Sequence, residues 1–111
     1  MKWWAHLYKG RKAELAGTVL FEKIEKNEFL PEVYVITSGR KGHHLFEIHP
    51  SMLLREEERK QVMVLGVAIG YQEAAQTVRR MVDDMVRAAG GFQWEEYMRQ
   101  LDETSTGQTG E

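Results

Sequence analysis

The sequence predicts a small single-domain α/β protein that begins with a helix and contains two or three strands, with a parallel core pair joined by a crossover. Residues 62–70 form a run of nine without a charge, which is typical of a strand covered on both faces. Residues 71–89 then repeat apolar side chains along one stripe of a helix. Residues 32–37 are β-branched and aromatic, the composition of another strand. We expect two long helices and a short C-terminal helix to pack this sheet.

Length and composition limit the classes of protein to which the chain can belong. Its 111 residues are 42% apolar and 29% charged, the ordinary mix of a globular domain. The net charge of −2 gives no overall attraction to nucleic acid or anionic membranes. The chain has no cysteine, which excludes disulfides, thiolate catalysis, iron–sulfur clusters and thiolate zinc sites. With no secretory leader and no membrane-length apolar run, we expect a cytoplasmic protein.

Residues 12–28 are predicted to form the first long helix. Four apolar side chains fall on one face, at Ala16, Val19, Leu20 and Ile24. Asn27 stands where a helix can end, and Pro31 prevents its continuation. The strand over residues 32–37 follows, and the glycines at positions 39 and 42 then favour a turn or loop.

Residues 43–60 allow two interpretations. Residues 45–48 can form a short strand in a hairpin with residues 33–37, or the first turn of a helix. Pro50 interrupts a continuous helix but suits the first position of a new one over residues 51–59. The helical interpretation is preferred because it makes the connection long enough for a right-handed crossover between parallel strands.

The last part of the chain is predicted to contain a long helix, a short helix and a tail. Gly90 and Gly91 end the helix over residues 71–89 through a left-handed cap. Residues 92–101 carry an apolar stripe that docks a short helix onto the body. Residues 102–111 offer nothing to bury, so we expect a disordered tail after a single domain over residues 1–101.

Several short motifs resemble those of a group of short, uncharacterised bacterial proteins. The motifs are the opening Lys2-Trp3-Trp4 with Leu7-Tyr8, the strand Val33-Tyr-Val-Ile-Thr37, and Val64-Leu-Gly-Val-Ala68 with Gly70-Tyr71 and Glu73-Ala74. The similarity extends over most of residues 1–101 and is lost at residues 39–42. In that group, a segment with Asn and Pro follows the first strand, and a Leu-rich, helical stretch comes next. The resemblance implies the crossover fold and no activity.

The crossover fold predicts a site that binds a small anionic ligand or, as an enzyme, acts on one. The carboxyl ends of parallel strands meet at one edge of the sheet, where ligands of open α/β sheets bind beside helix N-termini. One loop there supplies glycine amides, cations and histidines, and the other opens the long helix with free amides. The candidate ligand-binding residues are Ser38, Gly39, Arg40, Lys41, His43, His44, Tyr71 and Gln72. A solvated turn beside an ordinary helix start explains the same residues.

No catalytic or metal-binding constellation is predicted. His43, His44 and His49 carry ligand atoms, as does Glu47, but their spacing matches no helical metal pair. Ser38 lies near two of these histidines but lacks the surroundings of a nucleophile elbow. We therefore expect no catalytic residue, no metal and no cofactor.

The function that the sequence favours is a non-enzymatic interaction or regulatory module that forms a homodimer. A sheet of two or three strands leaves edges that a partner usually covers. The chain also has more large aromatic side chains than a small body readily buries, and such residues anchor interfaces. The candidate interface residues are Trp3, Trp4, Tyr8, Trp94 and Tyr97.

The N-terminal segment also allows a different interpretation. Its four cations, Lys2, Lys9, Arg11 and Lys12, alternate with aromatic residues, a combination that binds single-stranded nucleic acid. Residues 92–111 carry five acidic side chains against one arginine, so the basic start has an acidic partner within the chain. Nucleic acid is therefore a less favoured partner than a second copy.

Overall fold

The computed structural model describes residues 1–39 and 45–109, with side chains as far as residue 103. Four strands and five helices follow one another within this part of the chain. In order they are β1 (Lys2–Lys9), α1 (Arg11–Ala16), α2 (Thr18–Glu25), β2 (Val33–Ser38), β3 (Phe46–Pro50), α3 (Glu56–Gln61), β4 (Met63–Ile69), α4 (Tyr71–Ala89) and α5 (Trp94–Thr109). A 3₁₀ turn, Ser51–Leu53, lies between β3 and α3.

The chain divides into two compact units. The first, Met1–Arg79, holds the whole sheet, the first three helices and the beginning of α4. The second, Arg80–Glu111, holds the rest of α4 and α5. In the second unit the rings of Trp94 and Tyr97 lie 5.2 Å apart, and both side chains are buried.

The sheet is mixed, with the strand order β1-β4-β2-β3. β1 runs parallel to β4, whereas β2 runs antiparallel to both β4 and β3. The predicted fold, which was helix-first with two or three strands and a parallel core pair, is therefore wrong. The protein is a small α/β domain that begins with a strand and carries a four-stranded mixed sheet.

The edge strand β1 is an element that local sequence patterns do not predict. Two adjacent tryptophans interrupt the simple alternation of apolar and polar residues that predicts a half-buried strand. Trp4 is buried on one face, whereas Trp3 lies on the other face against Phe21 of α2. Both faces of β1 therefore carry large aromatic side chains, and only its pairing with β4 identifies it as a strand.

The predicted long helix over residues 12–28 is two helices instead of one. Gly17 has a φ of 75°, a backbone conformation that glycine adopts without the cost other residues pay. The chain turns there, so α1 ends at Ala16 and α2 begins at Thr18. Of the four apolar residues assigned to one face, Leu20 and Ile24 are buried, whereas Ala16 and Val19 are exposed.

Residues 46–50 form the strand of a hairpin, so the preferred helical interpretation is wrong. β3 pairs with β2 in a register that places His49 opposite Val35 and Ile48 opposite Ile36. Pairing with a neighbouring strand decides the conformation of such a short apolar segment, because periodicity alone does not separate strand from helix there. The helix predicted over residues 51–59 is replaced by the 3₁₀ turn and α3.

One side chain holds the segment after β3 in place. The guanidinium of Arg59 donates to the carbonyl oxygens of Ser51, at 3.2 Å, and of Ile24. The Ile24 carbonyl oxygen at the end of α2 also accepts the backbone N–H of Asn27 at 3.0 Å, so Arg59 adds a second donor to it. Arg59 thereby fixes α3 to the end of α2.

The core of the first unit lies between the sheet and the pair α1–α2. Gly66 allows the strands to approach, because a Cβ there would lie 3.0 Å from Ile36 Cδ1 and 3.4 Å from the Tyr8 carbonyl oxygen. The buried members of this cluster are Ala13, Leu20, Ile24, Val33, Val35, Leu54, Val64 and Val67.

The two C-terminal helices differ in how far they follow the prediction. α4 has the predicted bounds and ends at Gly90, whose φ is 78°. α5 begins near the predicted position but continues to Thr109, past the expected end at residue 101. In the described segments, no helix has the length and apolar character required to cross a membrane.

Candidate functional site

The two loops of the predicted anion site lie at opposite ends of the β2–β4 pair. Val33 pairs with Ile69, and Thr37 pairs with Val64, so Ser38 and Gly39 leave the sheet at the end where β4 begins. Tyr71 and Gln72 follow the other end of β4. The predicted convergence is wrong because these strands are antiparallel. The remaining candidates, Arg40, Lys41, His43 and His44, lie outside the described residues.

A carboxyl edge with two adjacent helix starts does exist, but it belongs to β1 and β4. α1 follows β1 after Gly10, and α4 follows β4 after Gly70. The carboxylate of Glu73 lies between them and accepts the backbone N–H groups of Lys12, at 2.7 Å, and Ile69, at 2.8 Å. The protein thus places its own anion at the position where this fold class commonly holds a ligand.

The backbone beside this carboxylate is closely packed. A Cβ on Gly10 would lie 2.3 Å from Glu73 Oε2, so a side chain at position 10 would displace the carboxylate. Tyr71 is 60% exposed and meets the ring of Tyr34 edge to face at 5.7 Å. Glu73 fills the space between the helix starts, and the two predicted residues Tyr71 and Gln72 lie on the surface.

An open apolar cleft lies along the outer side of β1. It has a volume of about 300 Å³, and its walls are Trp3, Ala5, Leu7 and Lys9 of β1 together with Phe21 of α2. Every second residue of a strand points to the same side, which explains why four odd-numbered positions share the cleft. The rings of Trp3 and Phe21 meet edge to face, with centroids 5.2 Å apart. Trp3, Leu7 and Phe21 are half-buried, and Ala5 is exposed.

The two ends of this cleft carry charged side chains. At one end the indole N–H of Trp3 donates to the carboxylate of Glu25. At the other end the Lys9 ammonium lies 5.5 Å from the centre of the Phe21 ring and 3.9 Å from a carboxylate oxygen of Glu14. The side chains of Lys9 and Glu14 are 36% and 66% exposed, so this ion pair contributes little to stability.

Three of the five candidate interface residues are buried within the single chain. Trp4, Trp94 and Tyr97 are 5–6% exposed, which leaves them unavailable as surface anchors. Tyr8 is half-buried on the face of β1 opposite the cleft, where its ring stacks on Trp4 with centroids 6.3 Å apart. Of the five, only Trp3 lines the cleft.

The same alternation bears on the nucleic-acid hypothesis. Trp3 lies on one face of β1, whereas Trp4 and Tyr8 lie on the other. Bases stack on aromatic rings that follow one continuous groove. Because the strand divides these rings between two faces, the structure does not assemble that groove from the N-terminal segment.

His49 and Glu47 are the metal-ligand candidates from the sequence that lie within the described residues. His49 Nε2 lies 3.1 Å from a carboxylate oxygen of Glu47, on the same face of β3. Among residues 1–39 and 45–103, no group of three histidine, aspartate or glutamate side chains is arranged to hold a metal ion. The two side chains form a local contact between residues i and i+2 of the edge strand β3.

Local sequence patterns identify neither Glu73 at the closed edge nor Phe21 in the cleft, whereas Trp3 and Lys9 of the cleft are among the residues predicted from the sequence. Glu73 stands three residues after Gly70, a spacing at which a carboxylate can reach back to the start of a helix. This spacing predicts the bond from Glu73 to the start of α4. It does not predict the bond from the Lys12 backbone N–H to Glu73, because the two residues are 61 positions apart. The cleft depends on Phe21, and no local pattern places Phe21 against an unassigned strand.

Comparison with known proteins adds no assignment. No protein-family model, no curated protein and no solved structure matches this chain. The resemblance to short bacterial proteins accordingly stays a prediction.

Proposed function

We propose that the protein is a non-enzymatic interaction module that acts as a homodimer, with the cleft beside β1 as the contact. The observation that carries this proposal is an apolar cleft that stays open along β1, one of the two edge strands of the sheet. Burial of apolar surface stabilises an association by about 25 cal/mol per Å² before the costs of association are subtracted. A second copy that fills the cleft removes its aromatic walls from water.

The shape of the cleft suits a second copy of the same strand. Ala5, a small residue, lies between Trp3 and Leu7 along the strand, so the surface has a notch flanked by two large side chains. In an isologous interface the same surface supplies both knobs and holes. Trp3 or Leu7 of one copy can therefore enter the notch at Ala5 of the other.

The contact is expected to involve side chains rather than an added strand. Between the pairs Trp3–Val64 and Tyr8–Gly66, β1 has four residues whereas β4 has one, Leu65. A bulge of this kind bends the strand and interrupts the regular edge to which another strand would pair. The apolar cleft remains accessible beside it.

Sedimentation velocity on the full chain across the micromolar range tests the proposal. We expect a concentration-dependent dimer, and we expect Ala5→Arg to weaken it by at least about tenfold, or ~1.4 kcal/mol, by filling the notch with a charge. Ala5 is exposed, so the fold of the single chain is expected to tolerate the change.

Ala88→Arg is the matched control, because Ala88 is an exposed alanine of α4 that lies outside the cleft. It adds the same charge and is expected to leave the dimer unchanged. A wild-type chain that stays monomeric at all these concentrations contradicts the proposal. Equal weakening by Ala5→Arg and Ala88→Arg removes the cleft as the contact.

A further inference from the structure

We infer that the two copies meet about a two-fold axis with their β1 strands antiparallel, so that Lys9 of each copy faces Glu25 of the other. This inference rests on the proposed homodimer and specifies its orientation and its charge recognition. It adds two intermolecular ion pairs to an otherwise apolar contact, which makes the cleft selective for its own partner surface.

The distribution of charge along the cleft supports this orientation. The carboxylate of Glu25 lies at one end of the cleft, where it accepts the indole N–H of Trp3. The ammonium of Lys9 lies at the other end. The ring of Phe21 contacts both Trp3 and Lys9. A two-fold axis across the cleft reverses its direction in the partner. The negative end of one copy then meets the positive end of the other, twice.

The reverse arrangement brings like charges together. If the two clefts docked in the same direction, Lys9 would approach the partner's Lys9, and Glu25 would approach the partner's Glu25. Like charges in contact across an interface cost affinity and exclude that arrangement. Charge complementarity therefore favours a second copy in one orientation.

Both charged groups retain the capacity to bind a partner. The contact between Lys9 and Glu14 is 3.9 Å long and exposed, and an ammonium has three donors, so Lys9 can bind a further carboxylate while it keeps its contacts within the chain. Glu25 accepts the indole N–H of Trp3, and a carboxylate has further lone pairs for a second donor. The Trp3 bond also holds Glu25 at the cleft instead of leaving it free in solvent.

Charge reversal tests the orientation directly. Lys9→Glu makes both ends of the cleft negative, and Glu25→Lys makes both ends positive. We expect each single variant to self-associate at least about tenfold more weakly than the wild type, a loss of about 1.4 kcal/mol, because each variant places like charges at both contacts of the dimer. An equimolar mixture of the two is expected to form a heterodimer, because each contact then joins opposite charges.

The double variant Lys9→Glu/Glu25→Lys restores both pairs in reversed polarity and is expected to regain the homodimer. Lys23→Glu and Glu22→Lys serve as controls, because both residues are exposed on α2 and give the same changes in net charge. Circular dichroism of each variant checks that the fold is kept. The readout is the sedimentation coefficient of each sample and of the mixture.

The outcomes separate this inference from the proposal on which it rests. If the wild type dimerises and the mixture and the double variant recover association, the orientation holds. If the wild type dimerises and both reversals leave association unchanged, or if neither combination recovers it, the orientation is overturned while the homodimer stands. A monomeric wild type overturns both.

Discussion

β1 contributes to two regions of the molecule that differ in how completely the chain's own groups fill them. At its carboxyl end, Glu73 accepts two backbone N–H groups, from Lys12 and Ile69, and packs against Gly10. Along its outer side, the aromatic walls of the cleft stay half-buried and open. One region is closed by the chain itself, and the other is open to solvent.

The difference follows from the groups involved. A backbone N–H that loses water without a partner costs about 1–3 kcal/mol, so a chain must satisfy it locally in order to fold. Partly exposed apolar surface carries no such requirement, because a large fraction of any folded surface is apolar. The closed end of β1 is therefore expected to determine stability, and the cleft to determine association.

Removal of the Glu73 carboxylate is expected to have the largest effect on folding. Glu73→Ala leaves two backbone N–H groups without their charged acceptor, and we expect the free energy of unfolding to fall by about 2–4 kcal/mol. Urea denaturation followed by circular dichroism measures the change. The exposed neighbour Gln72 provides the control Gln72→Ala. If Glu73→Ala lowers the free energy of unfolding no more than this control does, the closed end of β1 does not determine stability.

A side chain at position 10 is expected to have the next largest effect, by displacing the same carboxylate. Gly10 has φ −66° and ψ 161°, a conformation open to any residue, so Gly10→Ala introduces no backbone strain, and the nearest atoms that its Cβ would meet belong to Glu73. We expect a loss of about 1–3 kcal/mol. In a Glu73→Ala background the same change should cost much less, which a double-mutant cycle in urea detects. Additive losses would show that the two residues act independently.

The indole hydrogen bond at the cleft is expected to matter less for folding. Trp3→Phe removes the donor to Glu25 but retains an aromatic ring beside Phe21, and we expect a loss of about 0.5–1 kcal/mol. The measurement is thermal unfolding at a protein concentration where the chain is monomeric. A loss as large as that of Glu73→Ala would erase the distinction between the two regions.

The smallest effect is expected at a partly exposed carboxylate on α5, where Glu96 pairs with Arg99. Hydrogen bonds from Arg99 lower the pKa of Glu96 below its ordinary value of 4.5. A lowered carboxyl pKa stabilises the folded state above pH 4.5, and this contribution disappears as the pH falls through the lowered value. We expect Arg99→Gln to raise the pKa of Glu96 in an NMR titration, whereas Arg87→Gln on α4 leaves it unchanged. A pKa of Glu96 that stays low without Arg99 contradicts this assignment.

Local patterns predicted the segments that carry their own signal. α4 has a helical apolar stripe and a terminal glycine, and both its bounds agree with the structure. β2 and β4 were recognisable from composition alone. Gly17, in contrast, splits an apparently continuous helix, because an amphipathic pattern does not report the backbone turn that a single glycine permits.

The kind of site could be predicted from the sequence, but not the strands and residues that form it. A carboxyl edge with helix starts was expected from a parallel pair, but the pair is β1–β4 instead of β2–β4. The expected loops consequently separate, and Glu73 occupies the edge that forms. Likewise, a surface with aromatic residues was expected near the N-terminus, but the strand buries Trp4 and leaves Trp3 in the cleft.

The α/β character, the helix α4 and the two strands β2 and β4 can be predicted from local patterns, because composition and periodicity are properties of neighbouring residues. The strand directions, the hairpin β2–β3 and the position of β1 depend instead on pairing between segments that are far apart in the chain. Reversing a strand leaves the alternation of its side chains unchanged, so local patterns do not report its partner or its direction. The cleft and the closed end of β1 both depend on the pairing of β1 with β4.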